Sequence, residues 1–201
     1  MIALVDYGIG NLRSVYKALV WVGAKVSLTC EPERVLQAEK VILPGVGAFG
    51  GGMEGLKSRG LGDAVRESVI LGKPILGICL GMQLLFESSD EIGLHQGLGM
   101  IRGDVIRFPE VDIKVPHTGW NRVFTERETP LLSGLTSGSY AYFNHSHYCR
   151  PTSQEDVLGT TEYGLCYPSV VGNDQLYGVQ FHPEKSQSLG LKILRNFVEK
   201  C

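Results

Sequence analysis

The chain has 201 residues, 43% of them hydrophobic and 20% charged, with a formal net charge of −2 and no run of Lys or Arg. That composition suits one globular domain over residues 1–201 with a large core. It argues against a nucleic-acid or membrane-surface binder, whose affinity comes from clustered positive charge.

The opening MIALVDYG lacks a basic leader and meets Asp6 early, so it reads as a buried strand and not as a signal peptide. Asn11 stands where it can cap a helix carrying Leu12, Val15, Leu19 and Val22 at helical spacing, and Gly23 suits its stop. KVSLT and KVILPG are further short strands. After the second comes the glycine-rich loop PGVGAFGGG, residues 44–52. Such loops at the C-terminal edge of a parallel sheet cradle polar or anionic groups, although this one matches neither a P-loop nor GxGxxG.

Residues 53–71 carry helical periodicity with glycine interruptions. The longest apolar stretch, 69–86, holds Lys73, Pro74, Gln83 and three glycines. These divide it into a strand (PILGI), a turn and a helix (LGMQLLFESS), and no membrane span is expected.

The second half changes texture: GMIRGDVIRF, YAYFNHSHY, VLGTT and LYGVQF read as strands between Gly, Pro and polar turns. A last helix covers about 187–200, with Leu189, Ile193, Leu194, Phe197 and Val198 on its inner face. The alternation of strand and helix predicts an α/β fold. A mostly parallel central sheet carries helices on both faces, with antiparallel additions in the C-terminal half.

The five cysteines are odd in number, scattered and without a CxxC pair, which points to a reducing, cytoplasmic setting. His145 and His147 have no partner at zinc spacing, so no metal is expected. One cysteine is framed differently from the rest. Gly77-Ile78-Cys79-Leu80-Gly81 places it at the junction of a strand and a helix, the position of a nucleophile elbow. There the turn forces an uncommon backbone conformation, and Cβ atoms on its neighbours would meet the helix or an approaching substrate. A helix N-terminus also lowers a thiol pKa and leaves the Leu80 N–H free for an oxyanion. Taken alone, the frame also fits a small buried hydrophobe. Cys30, Cys149, Cys166 and Cys201 have no such setting and read as packing or surface residues.

A partner stands in QFHPEKS. Pro183 biases His182 towards extended backbone, and in extended chain residues i and i+2 project to one side. Glu184 can then hold the imidazole. Alone, HPE also fits a surface turn; with Cys79 it completes a nucleophile, base and orienting acid. An amide near Val46 can add a second oxyanion donor, with plain turn chemistry as the alternative.

With DYGIGNL, PGVGAFG, GICLGMQLLFE, HTGWN, HSHY, GTTEYG and GVQFHPEKS in order over the whole chain, the sequence resembles the class I (triad) glutamine amidotransferases, a flavodoxin-like family. Within them its pattern is nearest the glutaminase subunits of imidazole glycerol phosphate synthase. Relatives for anthranilate or guanylate synthesis share the cysteine elbow and HPE but lack the DYGxGN opening. The resemblance implies that Cys79 attacks the side-chain amide of glutamine to give a thioester. His182 and Glu184 would serve it, and the amides of Val46 and Leu80 would form the oxyanion hole. It implies that Gly47, Gln83, Ser146 and His147 hold glutamine, the last two through backbone groups. It further implies a heterodimer with a β/α-barrel cyclase, met by Asn11, Trp120, Tyr142 and Lys185, and no cofactor. Ile9, Thr118 and His147 depart from the family's usual proline, methionine and tyrosine. Other synthase subunits, a thiol hydrolase of the same superfamily and a catalytically silent binding module remain as alternatives.

Overall fold

The structure is a computed structural model that describes residues 1–109 and 113–201. Strand β1 (Ile2–Val5) shows how the core is divided. Ile2 and Leu4 face one apolar cluster, and Ala3 and Val5 face a second. A strand buried on both faces loses the usual polar alternation and reads as a continuous apolar run.

The first cluster is closed by helices α1 (Leu12–Trp21) and α6 (Gln187–Lys200) through Val15, Leu19, Leu189, Ile193, Leu194 and Phe197. Val198 packs at its edge. The second is closed by α2 (Pro32–Gln37), α3 (Phe49–Ser58), α4 (Leu61–Ile70) and α5 (Leu80–Leu84) through Val35, Leu56, Val65 and Leu80. Helices thus cover both faces, as the sequence pattern implies.

Strands β2 (Val26–Thr29), β3 (Lys40–Leu43) and β4 (Ile75–Ile78) join β1 in the order β2-β1-β3-β4, all parallel. The next strand in space is not the next in sequence. The strand β13 (Leu176–Val179) pairs parallel with β4, Val179 opposite Ile78. From β13 the sheet continues antiparallel through β12 (Cys166–Asn173), β11 (Val157–Glu162), β8 (His117–Thr125) and β9 (Ser139–His145). A second sheet runs β10-β7-β5-β6, with β5 (Phe86–Ser89), β6 (His95–Gln96), β7 (Ile101–Arg107) and β10 (His147–Pro151).

Several expectations are corrected. Helix α5 stops at Leu84, and Phe86–Ser89 is a strand; Leu84–Phe86 carry the carbonyls that receive the amides of residues 98–101. Glycines 50–52 lie in α3 and not in a loop; at Gly50 and Gly52 the helix passes close to His95 and Leu84. Gly60, with φ 67°, separates α3 from α4. The run YAYFNHSHY is two strands in two sheets, broken at Ser146. Asn11 occupies the N-cap of α1, but its side chain makes no capping bond; its carbonyl receives Ser14 and Val15 N–H instead. At the far end of the chain, Lys40 Nζ donates to the carbonyls of Phe197, Val198 and Cys201, which ties the last turn of α6 to the sheet.

Candidate active site

The pairing of β4 with β13 brings together what lies 103 positions apart in sequence. Cys79 directly follows β4 and gives its N–H to Val179 O at 2.8 Å. His182 lies three residues past Val179. Both emerge at the C-terminal edge of the parallel strands, where ligands bind open α/β sheets.

Cys79 has φ 54° and ψ −111°, a conformation that side chains other than glycine rarely adopt, and α5 begins at the next residue. The strain therefore sits on the cysteine, and the framing glycines serve space. A Cβ at Gly77 would lie 2.7 Å from Gly81 O and Met82 N, inside the helix. A Cβ at Gly81 would fall on the Leu43 carbonyl, and one at Gly45 would come within 2.9 Å of Leu80 Cβ. Gly81 is thus needed for the end of β3 and not for an approaching substrate. The elbow and the 44–47 loop touch backbone to backbone. The buried Tyr7 hydroxyl donates to Pro44 O at 2.6 Å and holds the loop from beneath.

His182 is 3% exposed, and its Nδ1 lies 3.0 Å from Glu184 Oε1. His182 has extended backbone, but Glu184 sits in the short 3-10 turn Pro183–Lys185, so the pair meets across a turn and not along an extended chain. Burial presses the His182 pKa down. Hydrogen bonds and charges from Cys79 and Glu184 outweigh it and raise the value to about 10. The imidazole is held as a cation beside the sulfur.

Cys79, Leu80, Val46, Gly47, Gln83, Ser146, His147 and His182 line one cavity of about 290 Å³, with Glu91, Pro116, Asn144 and His145. Every residue assigned above to catalysis, oxyanion binding or substrate except Glu184, which stands behind His182, opens on this space. Leu80 is the first residue of α5, where an N–H has no intrahelical acceptor. Gly47 has φ 95°. Gln83 Nε2 donates to His147 O and Gln180 Oε1, both at 3.1 Å, which leaves Gln83 Oε1 as its acceptor. Of the backbone groups at Ser146 and His147, the Ser146 carbonyl accepts the Phe108 N–H and the His147 carbonyl accepts Gln83 Nε2.

Three residues that shape this shell are not among the site residues read from the sequence. Gln180, wholly buried, places Nε2 3.8 Å from Cys79 Sγ. It stands two residues before His182, just past the end of β13. Glu91 accepts the Phe49 N–H at 2.6 Å, capping α3 from another loop because Ala48 at the N-cap has no polar side chain. It also stands 3.6 Å from His147 Nδ1. Burial lowers the His147 pKa despite the nearby Glu91 and Asp90, so this imidazole is not an ion-pair partner at neutral pH. Nothing local in the sequence marks Glu91. His145 is the third.

Beside the cavity, Lys185 Nζ lies 5.5 Å from the Tyr142 ring centre, and Trp120 packs edge-on against Tyr142 at 6.0 Å. Trp120 is 47% exposed. Helix α1, which Asn11 opens, packs on the 183–185 turn that carries Lys185.

A parallel sheet with a strained cysteine after one strand and a glutamate-paired histidine past its neighbour is the arrangement expected of the triad class of glutamine amidotransferases. The family model "Glutamine amidotransferase class-I" matches residues 3–201, and the chain belongs to that family. It is 50% identical over 203 aligned positions to imidazole glycerol phosphate synthase subunit HisH of Sulfurimonas denitrificans, covering 99% of this chain and 98% of that one. The subunit of the same name from Wolinella succinogenes is 49% identical, with 99% of each chain covered. A solved structure described as a glutamine amidotransferase superposes with a TM-score of 0.78 at 21% identity over 99% of this chain and 98% of that one, which bears on the fold alone. No helix among the described residues is long and apolar enough to cross a membrane.

Proposed function

We propose that this chain is the glutaminase subunit of an imidazole glycerol phosphate synthase. It hydrolyses L-glutamine to glutamate and ammonia and passes the ammonia to a cyclase subunit in a cytoplasmic heterodimer. The observation that carries the reading is near-complete coverage, at about 49% identity, of relatives that bear that name.

In this mechanism the Cys79 thiolate attacks the side-chain amide carbon of glutamine, and the carbonyl oxygen becomes an oxyanion. The N–H groups of Leu80 and Val46 receive that charge; one such donor contributes on the order of 100- to 1000-fold in rate. His182 starts as imidazolium and gives its proton to the departing nitrogen, so ammonia leaves and a thioester remains. It then takes a proton from water, whose oxygen attacks the thioester carbon. A second oxyanion collapses, the thiolate–imidazolium pair returns, and glutamate leaves as its new carboxyl group gives its proton to solvent. Glu184 keeps His182 oriented and supports its charge. Gln83 Oε1 and the Glu91 carboxylate offer acceptors for the α-ammonium of glutamine. The Trp120, Tyr142 and Lys185 patch meets the cyclase.

Glutamate release should rise when the protein is mixed with a histidine-pathway cyclase. Stimulation by an anthranilate or guanylate synthase instead would overturn the subunit assignment. No release with any partner would leave a silent binding module.

A further inference from the structure

Behind the cavity lies a buried set of polar side chains that the mechanism above does not use: His117, His145 and Tyr167, all under 8% exposed. They are enclosed by Phe108, Phe143 and Tyr163, and His117 is stacked between Phe143 and Tyr163. Polar groups so placed must satisfy one another.

Backbone groups at both ends fix which nitrogen of each histidine donates and which accepts. At the outer end Asn121 Nδ2 donates to Glu162 O at 2.8 Å, and its Oδ1 receives the Arg122 N–H at 2.8 Å. The amide can therefore face only one way. Nδ2 also lies 3.3 Å from His117 Nε2, which must accept. His117 Nδ1 then carries the hydrogen, facing Tyr167 Oη at 3.1 Å and His145 Nε2 at 3.3 Å. At the inner end His145 Nδ1 lies 2.7 Å from His147 O, and a carbonyl only accepts. His145 Nδ1 carries its hydrogen too, and its Nε2 accepts from the Tyr167 hydroxyl at 3.2 Å. Burial lowers His145 to about 3 and His117 to about 4, so both rings are neutral. The chain meets the cavity at His147 O, which also receives Gln83 Nε2.

We propose that His145 is a positioning residue for glutamine binding: held as its Nδ1–H tautomer by Tyr167 and His117, it fixes the His147 carbonyl against which Gln83 is oriented. This rests on the proposed function, since it takes the cavity as the glutamine site. His145 acts through Gln83 and not on the reacting atoms. Its loss should weaken ground-state binding and leave the chemical step alone, raising KM with little change in kcat.

The test compares His145→Asn with His145→Gln in complex with the cyclase, reading glutamate release. Asparagine keeps an N–H donor at the Nδ1 position, and glutamine places its amide at the Nε2 position. The expected result is a near wild-type KM for Asn and a KM raised about tenfold for Gln, the size of one lost buried hydrogen bond. Equal KM values in the two variants would overturn the proposal. The tautomers are read separately, from nitrogen NMR of the free protein labelled in histidine, with signals assigned by their loss in the variants. His117 and His145 should both be Nδ1–H and neutral at pH 7; an Nε2–H form of His145 sinks the proposal. Absence of glutamate release from the wild type would defeat the proposed function instead, and the NMR result would still decide this inference.

Discussion

Replacing Gly81 with alanine is the sharpest perturbation of the cavity, because it touches neither the triad nor the substrate contacts. The new Cβ would lie on the Leu43 carbonyl oxygen, 2.7 Å from Leu43 C and 3.3 Å from Pro44 C. All of these are backbone, and none can rotate away. The elbow and the 44–47 loop would have to part by roughly 1 Å, a misplacement that costs on the order of 100-fold in rate. The two proposed oxyanion donors, Leu80 and Val46, sit on opposite sides of that seam. The kcat for glutamine should therefore fall about 100-fold or more, up to the roughly 1000-fold of a lost donor. Overpacking should also cost about 1–3 kcal/mol of stability. The assay is steady-state glutamate release with the cyclase present, beside circular dichroism and a urea midpoint. Gly51→Ala is the control, since its Cβ would meet only Ile9 Cδ1, at 3.6 Å, an ordinary contact. A folded Gly81→Ala protein with wild-type kcat would refute the idea that the oxyanion site is built across this seam.

Cys79→Ala should abolish glutamine-dependent synthesis by the complex and leave synthesis from added ammonia on the cyclase; a joint loss would contradict the division of labour. His182 is raised well above its unfolded value, so its contribution to stability is full below about pH 6.5 and is lost as pH climbs towards 10. In Glu184→Gln, which removes one supporting charge, the alkaline fall in urea midpoint should be smaller and end at lower pH; superimposable profiles would contradict it. Lys40→Met strips three acceptors at the end of α6 of their shared donor. It should lower Tm by a few degrees, about 1–2 kcal/mol in a chain of this size, without changing activity.

The parts of this molecule legible in the sequence are those set by local chemistry. Val15 and Leu19 of α1, the apolar run of β1 and the glycine frame of Cys79 all announce themselves within a few residues. Helix α2 is absent from the sequence reading, although Pro32 opens it at a position that favours proline. Segments decided by distant partners were not legible. The stretch 86–89 has an apolar, helix-compatible start, yet β7 and β6 claim it as a strand. The insertion of β13 between β4 and β12, which makes His182 a neighbour of Cys79, depends on a parallel pairing across 101 positions, Ile75 with Leu176, that no local pattern encodes. The chemistry of the HPE pair survived a wrong geometric reason: Glu184 reaches His182 around a turn. Glu91 and His145 enter the cavity shell only through tertiary placement.

The central claim is that Cys79 is the nucleophile that opens glutamine. Its most direct test is covalent labelling with a diazo-ketone analogue of glutamine in the presence of the cyclase, followed by peptide mass spectrometry. One equivalent should attach, at Cys79 alone, with glutamine protecting the site and Cys79→Ala abolishing the label. Failure to modify Cys79, or a label on Cys30 or Cys166 that glutamine does not suppress, would contradict it.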